Sequence, residues 1–269
     1  MNRLGVIGWP VAHSRSPAMF AAAFAACEMG NWRYQRLPVS PELFEETVRA
    51  LGASGFAGAN VTIPHKRAAL AVADEASEAA RRIGAANTLS FGAGGAIAAE
   101  NTDAPGLLAA IGEPVAGKTA QVLGAGGSAR ATVWALLGAG AIEVLVWNRT
   151  AERARELAAE LGARAVFEPE AADLLVNCTS VGLQRTATDA EALNQLGLRA
   201  DQVGSYACVV DLVYGAHPTP LLAAAQAAGT RTVDGLDVLV AQGALSFELW
   251  TGRKAPLQAM REGARDEAS

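Results

Sequence analysis

Along most of the chain, short apolar runs alternate with longer stretches whose apolar residues recur at helical spacing. "RLGVIG" and "WRYQRL" predict strands, and "SPAMFAAAFAACEMG" between them predicts a helix. "SPELFEETVRALG" predicts a second helix, with Ser40 as its N-cap and Pro41 at the first helical position. "GFAGANVTI" reads as a third strand and "AALAVADEASEAARRIG" as a single helix. "NTLSF" and "AIAAE" flank a Gly-rich "GAGG", which reads as a hairpin.

A second unit opens near residue 117. "GKTAQVLGAGGSARATVWALLGAGAIEVLVWNRT" gives strand, Gly-rich turn, helix and strand. Helix "AERARELAAELG", strands "ARAVF", "DLLVNCT" and "ACVVDLV", helix "TPLLAAAQAAG" and strand "TRTVDG" follow. Repeated βα units predict a mainly parallel, doubly wound sheet. The last stretches, "DVLVAQGALSFELWTG" and "APLQAMREGAR", are helical, and their apolar residues need a partner. A return to the first domain supplies one. The expected architecture is α/β with two domains: residues 1–103 plus 235–269, and a Rossmann-type domain over 104–234.

Composition narrows the function. The 269 residues are 51% hydrophobic and 18% charged, ordinary for a globular chain with a sizeable core. A net charge of -5 and the absence of a long basic run make nucleic acid or an anionic membrane an unexpected main partner. A local basic pocket for a small anion stays compatible with that balance. Cys27, Cys178 and Cys208 are widely spaced and odd in number, which fits neither a disulfide framework nor a zinc site. The three histidines show no metal-ligand spacing. No signal peptide or spanning helix is read, so a reducing, cytoplasmic setting is expected.

"VLGAGGSAR" places Gly124-x-Gly126-x-x-Ala129 between a strand and a helix. Gly124 permits the tight turn, Gly126 lets backbone approach a pyrophosphate, and Ala129 lets helix and strand pack closely. An NAD-binding unit usually carries Asp or Glu at the end of its second strand. Here that end is Asn148-Arg149-Thr150, with Arg153 one turn on. A guanidinium without a neighbouring acid matches a phosphate, so the 2′-phosphate of NADP is the expected ligand. Arg153, with Glu152 and Glu156 nearby, reads more simply as a solvated charge.

Polar residues gather at other strand ends. "GANVTIPHK" sets Asn60 and Thr62 on one face of a strand, with Lys66 in the turn beyond Pro64. "ENTDAPG" supplies Asn101, Thr102 and Asp103, and "GAANT" supplies Asn87. Taken singly, Lys66 could be solvated and Asp103 a helix cap. Taken together they form a hydroxyl-recognising set with one acid–base pair. Near the start, "HSRSP" offers two hydroxyls where one helix cap is needed. Ser16 before Pro17 fits the cap and leaves Ser14 over, so the pair suits a carboxylate beside a helix N-terminus.

HSRSP at 13–17, NVTIPHK at 60–66, GAANT at 84–88, NTD at 101–103, GAGGSAR at 124–130, NRT at 148–150, NCTSVG at 177–182 and D-x-x-Y at 211–214 occur in one chain and in this order. In that combination the chain resembles the shikimate dehydrogenases, which reduce 3-dehydroshikimate to shikimate with NADPH on the route to chorismate and aromatic amino acids. The resemblance runs from "GWPVAHSRSPAMF" to "LSFELWTG". It implies an N-terminal substrate domain, an NADP-binding domain, and C-terminal helices returning to the first.

It also implies roles. Ser14 and Ser16 hold the substrate carboxylate. Thr62, Asn87 and Gln242 meet its hydroxyls, with Asn60 and Tyr214 close by. Lys66 and Asp103 form the catalytic pair, and the sequence does not assign the transferred proton to one of them. Cofactor contacts come from Gly124, Ala125, Gly126, Gly127, Ser128 and Ala129, and from Asn148, Arg149, Thr150 and Arg153. Asn177, Thr179, Ser180 and Leu212 add to these, and Gly235 and Leu239 belong to the stretch that closes on the nicotinamide. Departures from the family pattern are Ala216 for a usual proline, Val238 for a usual methionine, and Ala104 after Asp103 for a commoner glycine. A quinate or dual quinate/shikimate dehydrogenase and a non-catalytic NADP-binding sensor stay open as alternatives. The expected partner is a small molecule, and the chain is a monomer or a homodimer.

Overall fold

A computed structural model of the chain describes residues 1–183, 188–215 and 217–266, so Ala216 lies outside the described residues. The chain divides into two compact units, Met1–Gly106 with Leu239–Ser269, and Leu107–Val238. Among the described residues, no helix is long and apolar enough to cross a membrane.

The first unit is built on strands β1 (Asn2–Gly8), β2 (Trp32–Pro38), β3 (Phe56–Val61), β4 (Glu75–Ala76), β5 (Thr88–Phe91) and β6 (Ile97–Glu100), in the order β2-β1-β3-β5-β6-β4. β1 is parallel to β2 and β3, whereas β5 is antiparallel to β3 and β6. The carboxyl ends of β1, β3 and β6 and the start of β5 therefore share one edge of the sheet. Five consecutive residues of β1 are buried, as expected for a central strand covered on both faces. Helices α1 (Ser16–Ala26), α2 (Phe44–Ala53), α3 (Lys66–Val72), α4 (Glu78–Ile83) and α5 (Asp103–Ile111) complete this part of the chain. Ile7, Phe44, Val48, Ala59 and Leu89 form the centre of one core.

The single helix expected over 68–84 is broken into α3, β4 and α4. Asp74 exchanges two bonds with Ile97: its carboxylate accepts the Ile97 N–H at 2.8 Å, and its own N–H donates to the Ile97 carbonyl at 2.9 Å. Ser77 caps α4 by accepting the Ala80 N–H at 3.1 Å. Side chains that bond backbone in this way compete with a continuous helix. α2 begins after a 3₁₀ turn at Pro41–Leu43, and the Ser40 hydroxyl makes no capping bond.

The second unit contains β7 (Thr119–Leu123), β8 (Glu143–Trp147), β9 (Arg164–Ala165), β10 (Leu174–Asn177), β11 (Cys208–Asp211) and β12 (Arg231–Val233), in the order β12-β11-β10-β7-β8-β9. All neighbours are parallel. Strand order reverses between β7 and β10, the point at which doubly wound sheets bind ligands. α6 (Gly127–Gly138), α7 (Ala151–Leu161) and α10 (Pro220–Ala227) match the predicted pattern, while α8 (Asp189–Gln195) and α9 (Ala200–Val203) add to it.

The chain ends in α11 (Gly235–Thr251) and α12 (Leu257–Arg265), which belong to the first unit from Leu239 onward. The Phe247 ring lies 6.1 Å from Phe24 and 6.4 Å from Phe20. The Trp250 indole N–H donates to the Leu89 carbonyl at 3.1 Å. Gly58 makes that approach possible, since a Cβ there would stand 2.2 Å from the indole nitrogen.

Candidate active site

Lys66 opens α3, immediately beyond the turn that ends β3, and Asp103 opens α5, just beyond β6. The sheet edge brings the two together. Lys66 Nζ donates to Asp103 Oδ2 at 2.6 Å, and both side chains are mostly buried. Asn87, at the start of β5, donates to Asp103 Oδ1 at 2.8 Å. Each carboxylate oxygen thus has its own donor, which fixes the plane of the group. The two Asn87 amide hydrogens face three acceptors, the others being Thr102 Oγ1 at 2.9 Å and Gln242 Oε1 at 3.1 Å. Asn87 Oδ1 accepts the Thr102 N–H at 2.7 Å, so the amide orientation is determined. Gln242 is anchored in turn by donating to the Leu239 carbonyl at 2.9 Å.

Behind this set lies a polar layer in which Asn60 meets Tyr34, Thr88 and Ser246, three residues to which sequence reasoning assigned no role. Asn60 donates to Ser246 Oγ at 2.9 Å and Thr88 Oγ1 at 3.1 Å, and accepts from the Tyr34 hydroxyl at 2.8 Å. Thr88 and Ser246 hydroxyls are 2.9 Å apart. The Asn60 amide is engaged within the fold on both sides, which makes it a support for Asn87 and Thr88. Thr62 follows β3 on the same edge, half-buried. His65 is structural: its Nε2 meets the Val39 carbonyl at 2.8 Å and its ring stacks on Phe44 at 4.5 Å. Burial holds its pKa below the ordinary histidine range, although the bond to Val39 acts the other way.

Beyond β1, Ser14 and Ser16 are both buried. α1 starts at Ser16 itself, with Arg15 at the cap position and Pro17 one place further on than expected. Ser14, not Ser16, serves the helix start, by accepting the Ser16 N–H at 3.3 Å. Ser16 is therefore not used as a side-chain cap. Arg15 turns away and donates to the Asp266 carbonyl at 2.8 Å.

In the second unit, Gly124 follows β7 with φ +110°, and a Cβ there would lie 3.2 Å from the Cys178 carbonyl. Gly126 is the extended N-cap of α6 with no side-chain cap, and a Cβ there would meet nothing within 4 Å. Ala125 sits between them, Gly127, Ser128 and Ala129 form the first turn of α6, and Ala129 is fully buried. A helix N-terminus of this kind, opened by an extended glycine, suits an anion. Asn148 donates to the Thr150 carbonyl at 2.9 Å. Arg149 and Arg153 are exposed and, among the described residues, pair with no carboxylate. Glu152, next to Arg153 in the sequence, pairs with Arg155 at 3.0 Å.

Asn177 is fully buried and holds a turn: it accepts the Thr179 hydroxyl at 2.8 Å and donates to Asp211 Oδ1 at 2.8 Å. Ser180 is exposed on that turn. Asp211 also accepts from Thr219 at 2.6 Å and from the Val213 N–H at 3.0 Å. Its burial pushes the carboxyl up to about 6 against those donors. Leu212 and Tyr214 follow β11, half-buried, and Gly235 opens α11 with the Leu212 and Val213 carbonyls 2.7 Å from where its Cβ would stand.

A family model described as shikimate dehydrogenase substrate binding domain matches residues 6–89 of this chain. One described as shikimate / quinate 5-dehydrogenase matches 107–203, and one described as shikimate 5'-dehydrogenase C-terminal domain matches 235–264. Shikimate dehydrogenase (NADP(+)) of Paracoccus denitrificans is 43% identical, covering 93% of this chain and 90% of that protein. The protein of the same name from Methanopyrus kandleri is 43% identical over 97% of this chain and 94% of its own length. The crystal structure of shikimate 5-dehydrogenase from Thermus thermophilus, in complex with NADP(H) and shikimate, superposes with a TM-score of 0.85 at 41% identity, covering 98% of this chain and 99% of that one.

Proposed function

Because this chain belongs to the shikimate dehydrogenase family, we propose that it interconverts 3-dehydroshikimate and shikimate with NADP as cofactor. The observation that carries the reading is the Lys66–Asp103 pair, held by Asn87 and Gln242 on the sheet edge that also bears Thr62. Bound NADPH supplies the hydride. Lys66 supplies the proton that the substrate's carbonyl oxygen needs as it becomes a hydroxyl, and takes it back in the reverse direction. Asp103 holds the ammonium group in place, and Asn87 fixes Asp103. The hydroxyls of Ser14 and Ser16, beside the positive end of α1, take the substrate carboxylate. Thr62, Asn87 and Gln242 offer donors and acceptors to its hydroxyls, and Tyr214 joins them.

The second unit fits a 2′-phosphorylated dinucleotide. The open cradle at Gly126 and the first turn of α6 receive the pyrophosphate, and Arg149 with Arg153 receive the 2′-phosphate. Cys27, Cys178 and Cys208 are free thiols, which supports a cytoplasmic setting, where the chain works as a monomer or a homodimer. Steady-state rates with shikimate and quinate, each with NADP and NAD, test the whole reading. Shikimate with NADP is expected to give the highest kcat/KM. Activity confined to quinate with NAD would overturn the choice, and no turnover with any pair would leave a binding protein.

A further inference from the structure

One charged side chain beside the two serines has no role so far. Arg36 lies on β2, and its Nε and Nη2 both donate to the Ser14 carbonyl, at 3.2 and 2.9 Å. The residue is half-buried and, among the described residues, pairs with no carboxylate. Its field reaches this segment, because burial and then the Arg36 charge hold the pKa of His13 below the ordinary histidine range. His13 is thus neutral near pH 7, Arg15 donates to the Asp266 carbonyl, and Arg36 is the cation whose guanidinium bonds Ser14. A guanidinium has five N–H donors, and one carbonyl occupies two of them. A partly desolvated cation without a counter-ion is costly, and an arriving anion removes that cost. Ser14 and Ser16 are both buried and lie at the start of the eleven-residue helix α1.

We propose that Arg36 is a positioning residue for the substrate carboxylate: it locks the Ser14 backbone and supplies the charge that makes the Ser14–Ser16 pair select a carboxylate over a neutral group. The inference rests on the shikimate dehydrogenase reading and adds a residue to it. A residue that only anchors the loop affects any ligand of that loop. A residue that acts through charge affects the acid and spares its ester.

The experiment measures kcat and KM for shikimate and for its methyl ester, in the wild type, Arg36→Gln and Arg36→Lys, at low and high salt. Arg36→Gln keeps a donor for the Ser14 carbonyl and removes the charge. It is expected to raise KM for shikimate about tenfold, to change kcat less than about twofold, and to leave KM for the ester nearly unchanged. Arg36→Lys is expected to recover most of the loss. In the wild type, added salt is expected to raise KM for the acid and not for the ester, which keeps the test decisive if Arg36→Gln folds poorly. Equal shifts for acid and ester, or no shift for either, would overturn the proposal. A wild type that oxidises shikimate while Arg36→Gln behaves identically removes this inference alone. A wild type inactive on shikimate removes the functional reading, and this inference with it.

Discussion

Replacing Gly126 by alanine separates cofactor binding from folding. Gly126 has φ -90° and ψ -171°, an extended conformation open to alanine. The added Cβ meets no atom within 4 Å. Alanine is a poorer N-cap than glycine by about 0.5–1 kcal/mol, and its stiffer unfolded chain offsets about 0.4–1 kcal/mol. The net change in stability is expected to stay within about 1 kcal/mol, or roughly 2–4 °C in Tm. Binding is affected differently, because the methyl group stands where a pyrophosphate must approach the backbone. Losing one charge-assisted N–H···O bond, at about 1.5–3 kcal/mol, raises KM for NADP by roughly 10- to 100-fold. The assay pairs NADP titration at saturating shikimate with thermal unfolding. Gly124→Ala is the contrast: at φ +110°, with the Cys178 carbonyl 3.2 Å from the new Cβ, it should lose stability as well as binding. The strain amounts to about 1–3 kcal/mol. A Gly126→Ala protein that binds NADP as tightly as the wild type would refute the cradle assignment.

Arg149→Ala is expected to weaken NADP by about tenfold or more and NAD by less than about twofold, and equal losses in the two KM values would sink the phosphate assignment. Asp211 titrates at about 6 in the fold against 3.8 as its ordinary value, so the native state binds the extra proton and stability falls as pH rises through that window. The cost above the window is about 3 kcal/mol, and Asp211→Asn should flatten that part of the urea-unfolding profile. An unchanged slope between pH 4 and 6 in the Asp211→Asn protein would contradict the buried-carboxylate account. Gly58→Ala would set a Cβ 2.2 Å from the Trp250 indole nitrogen and 2.6 Å from the Leu89 carbonyl, so the bond between them must give way. Overpacking of that kind costs about 1–3 kcal/mol, and an unaltered Tm would show that α11 is not seated against β3 as described.

Elements whose signals are local were legible in the sequence. The β7–turn–α6 unit followed from Gly124, Gly126 and the flanking apolar runs, and the β5–β6 hairpin from its Gly-rich turn. Elements decided by distant partners were not. Asp74 and Ser77 fit a helical pattern, and only their bonds to residues of β6 and α4 show why the helix breaks. The start of α1 differs from the expected one by one residue, because Ser14 rather than Ser16 supports it. Lys66 and Asp103 could be singled out at strand ends, but their meeting depends on a mixed sheet that aligns β3 with β6. Gln242 lies 155 residues from Asn87 and joined the set through family resemblance alone. Ser246 and Thr88 carried a fainter signal, a hydroxyl inside the apolar runs "LSFELW" and "NTLSF". Nothing in the sequence marked Arg36, whose contact to Ser14 is set by the pairing of β1 with β2.

The central claim is that Lys66, held by Asp103, moves the proton that accompanies hydride transfer. Its most direct test is the single-turnover rate of 3-dehydroshikimate reduction in the wild type and in Lys66→Met, with the NADPH dissociation constant measured alongside. The account predicts a rate lower by about 10²- to 10⁴-fold and an NADPH affinity within about twofold of the wild type. A Lys66→Met protein that reduces the substrate at the wild-type rate, or that keeps the rate and loses NADPH, would contradict it.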